Sequence, residues 1–93
     1  MPFVYDPSLR APYSLHAKLR KLVAIRDEGT CRYCGKTPKT FHLDHVIPAI
    51  SGGRTSLDNL VVSCPRCNST KHNKRLPPDQ EARLLSLISL DDT

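Results

Sequence analysis

Two Cys-x-x-Cys pairs, Cys31 with Cys34 in CRYC and Cys64 with Cys67 in CPRC, constrain this chain more than any other feature. A chain of 93 residues is one domain with little room for an apolar core, so burial alone is a thin source of stability and a staple is expected. Two disulfides or a metal would serve. The N-terminus MPFVYDPSLR has neither the basic start nor the apolar run of a secretory signal, which favours reduced thiolates. Four thiolates at this spacing fill the tetrahedral shell of Zn²⁺ and leave no open position, so the expected site is structural, not catalytic. The 29-residue insert between the pairs can run out and back as a hairpin and so bring the two knuckles together. A redox role would call for a thioredoxin-like βαβ context around one pair, and none is present.

The net charge of +5 is uneven. Residues 1–75 hold 13 Lys/Arg against 5 Asp/Glu, whereas residues 76–93 hold 1 against 4. A basic surface around the motifs points to a polyanion, of which nucleic acid is the commonest, with a plain solvated face as the alternative. No apolar stretch approaches the ~20 residues that span a bilayer, and the expected protein is soluble and cytoplasmic.

Residues 1–13, with three prolines, read as an extended arm, and residues 14–93 as one domain with its core motif over 31–75. A helix is expected from Ser14, as N-cap, to about residue 28, with Leu15, Leu19, Leu22, Val23 and Arg26 on one stripe and Gly29 as the stop. Its Lys18, Arg20, Lys21 and Arg26 read as solvated charges or phosphate contacts. Gly35 permits a tight knuckle turn. TFHLDHVIP and NLVVSC read as two strands joined by a long loop over 48–58. Pro65 suits the first turn of a helix carrying Cys67, Asn68, Lys71, His72 and Arg75. Pro77-Pro78 ends it, and DQEARLLSLISL begins another, with acids in its first turn and Leu84, Leu85, Leu87, Ile88 and Leu90 as core cover or a dimer contact. The fold class is small α+β: a zinc-stapled hairpin and helix flanked by N- and C-terminal helices.

The residues between the Cys pairs carry the chemistry. Asp44 offers a hard anionic oxygen and Asn68 a neutral carbonyl oxygen, ligand types that Mg²⁺ accepts beside water and substrate phosphates. An ion with open positions can stabilise charge on a leaving oxygen. An imidazole exchanges protons near neutral pH, which makes the adjacent His45 the natural general base. Neighbours on a regular strand face opposite sides, so the strand is expected to bend or end at Asp44-His45, and Pro48 gives a reason. His42 and His16 read as packed, exposed or inert.

From about Leu19 to Arg75 the chain strongly resembles the HNH endonucleases, whose ββα-metal (treble-clef-like) fold has this order of elements. The stretch LDHVIPAISGGRTSLDNLVVSCPRCNSTK is similar to the HNN variant of that family, with Asn68 where the second histidine of the name stands. Asn there is a familiar alternative, found also in the HNH domain of the CRISPR effector nucleases. The resemblance implies that His45 is the general base, that Asp44 and Asn68 are metal ligands, and that Asn59 holds the loop so that His45 is aimed. It also implies 5′-phosphate and 3′-hydroxyl products. An amide oxygen in place of imidazole hardens the site and favours Mg²⁺ or Mn²⁺. His72, one turn after Asn68 on the expected helix, resembles a third ligand of the colicin-type nucleases, with a plain exposed histidine as the alternative.

Arg54, Arg66, Lys71, Lys74 and Arg75 are the expected contacts to flanking DNA phosphates, which position without reading sequence and make binding salt-dependent. One site cuts one strand, so the expected activity is nicking of weak intrinsic specificity by a monomer, with a dimer as the alternative. The further partner expected is a specificity or packaging protein that directs it, in a bacterium or phage-infected cell. Two other readings stand beside this one: a noncatalytic zinc module that binds nucleic acid, and a zinc scaffold for protein partners. Against the first stands Asp44, a carboxylate that repels phosphate unless a cation lies between.

Overall fold

The computed structural model describes the backbone of residues 15–91 and the side chains of residues 17–89. The arm expected over residues 1–13, the Ser14 cap, and the His16 and Leu90 side chains lie outside the described residues.

The run LHAKLRKLVAIRD has no Pro or Gly to interrupt it and forms α1 (Leu15–Asp27). It stops where Glu28 and Gly29 take positive φ, 54° and 66°. The Gly29 N–H then donates to the Ala24 carbonyl at 3.0 Å and satisfies one of the last carbonyls of the helix. The buried line is Leu19, Val23 and Asp27, an i, i+4 ladder, with Ala24 beside it. Leu22 leaves the expected stripe and is 49% exposed.

β1 (His42–His45) and β2 (Leu60–Ser63) form an antiparallel pair, with Leu43 opposite Val62 and Asp44 opposite Val61. Both strands are shorter than the apolar runs that predict them. β1 ends at His45, so the strand terminates at the Asp-His pair without bending before it. Every residue of β2 is buried, because a different helix covers each face. Leu60 and Val62 pack on Leu19 and Val23 of α1, with Phe41, Leu43 and Leu57 around them. Val61 faces the other way and joins Val46, Leu84 and Ile88. The last two belong to α3 (Pro78–Asp91), which starts on a proline and carries Asp79 and Glu81 in its first turn. A strand covered on both sides reads as an unbroken apolar run, which is why LVVS shows no alternation.

The outer edge of β2 is closed by Asp27. Its buried carboxylate accepts from the Val62 N–H at 2.9 Å and from Arg26 and Arg32, both at 2.8 Å. Arg26 donates onward to the Leu57 and Leu60 carbonyls at 2.7 and 2.5 Å, and the Arg32 N–H donates to the Val62 carbonyl at 3.0 Å. Backbone groups that a third strand would otherwise pair are thus satisfied, and the buried charge is matched. Arg26 is therefore a structural side chain rather than a phosphate contact. Arg20 is similarly engaged, donating to the Phe41 carbonyl at 2.9 Å with its guanidinium 4.1 Å from the Phe41 ring centroid.

α2 (Pro65–Lys71) opens with Pro65 in its first turn, as the sequence predicts. It ends earlier than expected. His72 takes φ 47° and ψ −125°, outside the left-handed helical well and strained for a residue with a Cβ, and its N–H closes on the Asn68 carbonyl. His72, Lys74 and Arg75 consequently lie beyond the helix. Among the described residues, no helix is long and apolar enough to cross a membrane.

Candidate active site

The four cysteines converge. Their Sγ atoms lie within 4.8 Å of one another, and Cys34 and Cys64 are 3.7 Å apart. A tetrahedron with Zn–S bonds near 2.3 Å has edges of about 3.8 Å, so this donor set is consistent with a zinc site. Two local structures build it. In the first knuckle, Gly35 at φ 79° lets its N–H reach the Cys31 carbonyl at 2.9 Å, and the Cys31 N–H donates to the Lys36 carbonyl at 2.8 Å. In the second, Cys64 caps α2: its Sγ accepts from the Cys67 N–H at 3.4 Å, which lowers the Cys64 thiol to about 7. Capping and metal binding both favour the thiolate form.

Asp44 is buried at the end of β1 and faces the side of the hairpin that carries Val61. Its Oδ2 accepts from the Tyr33 hydroxyl at 2.5 Å and lies 3.1 Å from Lys71 Nζ. Burial first, and the Asp44 carboxylate second, push the Tyr33 phenol far above its ordinary value, so it stays protonated and donates. No partner among the described residues engages Oδ1. Lys71 Nζ also donates to the His45 carbonyl at 2.8 Å. Lys71, expected on the phosphate-facing surface, is instead buried, with 7% of its side chain exposed, and holds Asp44 to the strand end. The cation expected between Asp44 and a polyanion is therefore supplied in part by the chain itself. Asn68 lies three residues before Lys71 on α2, hence on the same side of that helix.

His45 is the last residue of β1, and its ring turns to the connecting loop. Its Nε2 is 2.9 Å from Thr55 Oγ1 in the connecting loop. Asn59 holds this loop. Its Oδ1 accepts from the Ile47 N–H at 2.9 Å, and its Nδ2 donates to the Ile47 and Arg54 carbonyls at 3.1 and 2.9 Å. Its backbone carbonyl accepts the Val46 N–H at 2.8 Å. One buried amide thus ties the residues after His45 to the residue before Thr55. Gly53 belongs to the same knot, since a Cβ there would lie 1.7 Å from the Ile47 oxygen.

The other predicted residues divide. Arg66, Lys74 and Arg75 border a groove of about 520 Å³ between the first knuckle, α2 and the start of α3, with Lys36 across from them. Arg75 pairs with Glu81 at 2.6 Å. Arg54 is exposed and lines a separate recess beside Asn59 and α3. His72 is exposed at the C-cap of α2, with its N–H bonded to the Asn68 carbonyl one turn back. His42 is exposed. The sequence alone does not single out Tyr33 or Thr55. Each is a common residue in a loop, and only the closed fold sets it against Asp44 or His45.

Residues 31–74 match the family model described as HNH endonuclease. A 52-residue stretch is 42% identical to the CRISPR-associated endonuclease Cas9 of Corynebacterium diphtheriae, covering 52% of this chain and 5% of that protein. The type IV methyl-directed restriction enzyme EcoKMcrA of Escherichia coli is 31% identical over 78 residues, 75% of this chain and 24% of the enzyme. Anaredoxin of a Nostoc species is 29% identical over 70 residues, 75% of this chain and 91% of anaredoxin. The chain therefore spans a small part of the two nucleases and nearly all of anaredoxin. With the thiolate cluster, the hairpin and the Asp-His pair at the strand end all inside the matched stretch, this chain carries an HNH endonuclease domain over residues 31–74.

Proposed function

We propose that this chain is a metal-dependent endonuclease that hydrolyses DNA phosphodiester bonds one strand at a time. The observation that carries the reading is the arrangement around His45, which stands at the end of a strand with its Nε2 on Thr55, in a loop held by all three hydrogen bonds of the Asn59 amide. A buried amide spent on a surface loop suits a loop whose position matters to chemistry.

In this reading His45 takes a proton from water, and the water oxygen attacks phosphorus in line. The bond to the 3′ oxygen breaks, and that oxygen takes a proton from solvent water, leaving a 5′-phosphate and a 3′-hydroxyl. Asp44, through Oδ1, and Asn68 suit Mg²⁺ or Mn²⁺, because one anionic and one neutral oxygen leave most of an octahedral shell for water and phosphate. An ion there would supply positive charge to the phosphate and the leaving oxygen. Arg66, Lys74 and Arg75, with Arg54 on the loop, hold flanking phosphates. Lys71 contributes from beneath by neutralising part of the Asp44 charge.

One observation favours a second reading, a noncatalytic nucleic-acid-binding zinc module: Lys71 already neutralises Asp44, so a carboxylate on a basic surface does not by itself require a metal. Incubation of an end-labelled duplex with zinc-loaded protein and added Mg²⁺ or Mn²⁺ separates the two. The nuclease yields nicks with 5′-phosphate and 3′-hydroxyl ends that DNA ligase reseals. The binding module retards the duplex and leaves it intact.

A further inference from the structure

Asp44 is held by two donors, and each comes from one half of the cysteine cluster. Tyr33 lies between Cys31 and Cys34 in the first knuckle. Lys71 lies four residues after Cys67, at the end of the helix that Cys64 caps. The Tyr33 ring packs on the cluster of Val46, Val61, Leu84 and Ile88, which fixes its direction. Its hydroxyl and the Lys71 ammonium meet on the same oxygen, Oδ2, at 2.5 and 3.1 Å. Oδ1 has no partner among the described residues, and no buried side-chain oxygen or nitrogen there lacks one, so Oδ1 reaches solvent.

We propose that Tyr33 is a positioning residue: from the cysteine knuckle its hydroxyl holds Oδ2 of Asp44, so that Oδ1 is presented, already ordered, to the catalytic divalent ion. This rests on the reading of Asp44 as a ligand. A carboxylate free to rotate would lose that freedom when the ion binds, whereas one clamped through its other oxygen has lost it on folding. Donors behind a ligating carboxylate typically carry about tenfold to a hundredfold in metal affinity. The four-thiolate cluster gains a second task here. By fixing the two knuckles together it also fixes Tyr33 and Lys71 relative to each other.

The test is Mn²⁺ binding to the full-length zinc-loaded chain, read by electron paramagnetic resonance, for wild type, Tyr33→Phe and Asp44→Asn. Zinc content and thermal unfolding are measured alongside. Tyr33→Phe removes one oxygen and keeps the packed ring. The expected result is Mn²⁺ affinity lower by about tenfold or more, with zinc content unchanged and the fold intact. In cleavage, the Mn²⁺ concentration for half-maximal rate rises, while the rate at saturating Mn²⁺ falls less. If Tyr33→Phe binds Mn²⁺ within about twofold of wild type while Asp44→Asn loses it, Tyr33 is only packing and the proposal is overturned, with Asp44 retained as a ligand. If Asp44→Asn still binds Mn²⁺ like wild type, the assignment of Asp44 itself falls, and the role of Tyr33 with it.

Discussion

Replacing Asn59 by Ala or by Asp distinguishes a loop held by hydrogen bonds from one held by packing. Ala removes three bonds at once, the acceptor of the Ile47 N–H and the donors to the Ile47 and Arg54 carbonyls. Ile47 is only partly exposed, so its N–H and C=O lose partners that water replaces poorly, whereas Arg54 is exposed and recovers a water. With the two Ile47 groups each at the low end of the about 1–3 kcal/mol for an unpaired buried group, and the exposed bond at about 1 kcal/mol, the loss sums to about 3 kcal/mol. That is a large part of the stability of a small domain without exceeding it, so the variant folds. In urea at fixed excess zinc, the midpoint should fall by about 1–3 M at the slopes usual for small proteins. Asp keeps the volume and the acceptor for Ile47, but places an anionic oxygen where Nδ2 stood, against two carbonyl oxygens. At neutral pH it should destabilise at least as much as Ala. The folded-state pKa of the new carboxyl is raised, so its deficit shrinks as the pH falls through that value and grows as the pH rises through it. A loss below about 1 kcal/mol for Ala, or an Asp variant as stable as wild type at neutral pH, would show that packing holds the loop and that these bonds do not.

Further perturbations probe other parts of the account. Lys71→Met strips the Asp44 carboxylate of its buried counter-charge and should cost about 3–5 kcal/mol in the absence of added divalent ion. Added Mn²⁺ should then raise the melting temperature of this variant more than that of wild type, and an equal rise in both would speak against Asp44 as an ion ligand. Cys64→Ser removes a thiolate while keeping a side-chain oxygen able to cap α2, and should abolish cooperative unfolding by circular dichroism even with zinc present, because zinc binding is linked to folding. A cooperative, wild-type-like transition would mean the cluster is not the staple. Gly53→Ala forces the Ile47 carbonyl to move, since the added Cβ would lie 1.7 Å from its oxygen. Its cleavage rate should fall at least tenfold, while Gly52→Ala, strained at φ 92° but facing open space, should lose less. Equal rates for the two would remove the steric argument.

The parts of this fold legible in the sequence are those fixed by local chemistry. The Cys spacing predicts the cluster, Pro65 the start of α2, Gly29 the end of α1, and the unbroken LVVS run the buried strand. Asn59 as a loop tie is equally local, since an amide is the side chain that can satisfy an N–H and a C=O of one residue together. What escapes the sequence depends on closure in three dimensions. A lysine four residues after a cysteine looks like a surface charge until α2 packs on β1 and drives it onto Asp44. Asp27 looks like a helix-end acid until Arg26, Arg32 and the Val62 N–H converge on it. No breaker stands before Pro77, so the sequence predicts a longer α2, yet His72 turns the chain at positive φ.

The central claim, that His45 serves a metal-dependent hydrolysis, is tested most directly by nicking of supercoiled plasmid. Zinc-loaded wild type and His45→Ala are compared with and without added Mg²⁺ or Mn²⁺, the ion being withheld rather than chelated so that zinc stays in place. The His45 ring has Thr55 as its hydrogen-bond partner, and the backbone carbonyl that receives Lys71 survives in Ala, so the variant should stay folded and bind DNA like wild type. The account predicts nicking by wild type that requires the added ion and is lost in His45→Ala. Nicking that persists undiminished in the folded His45→Ala protein, or intact plasmid under every condition with DNA binding retained, would contradict it.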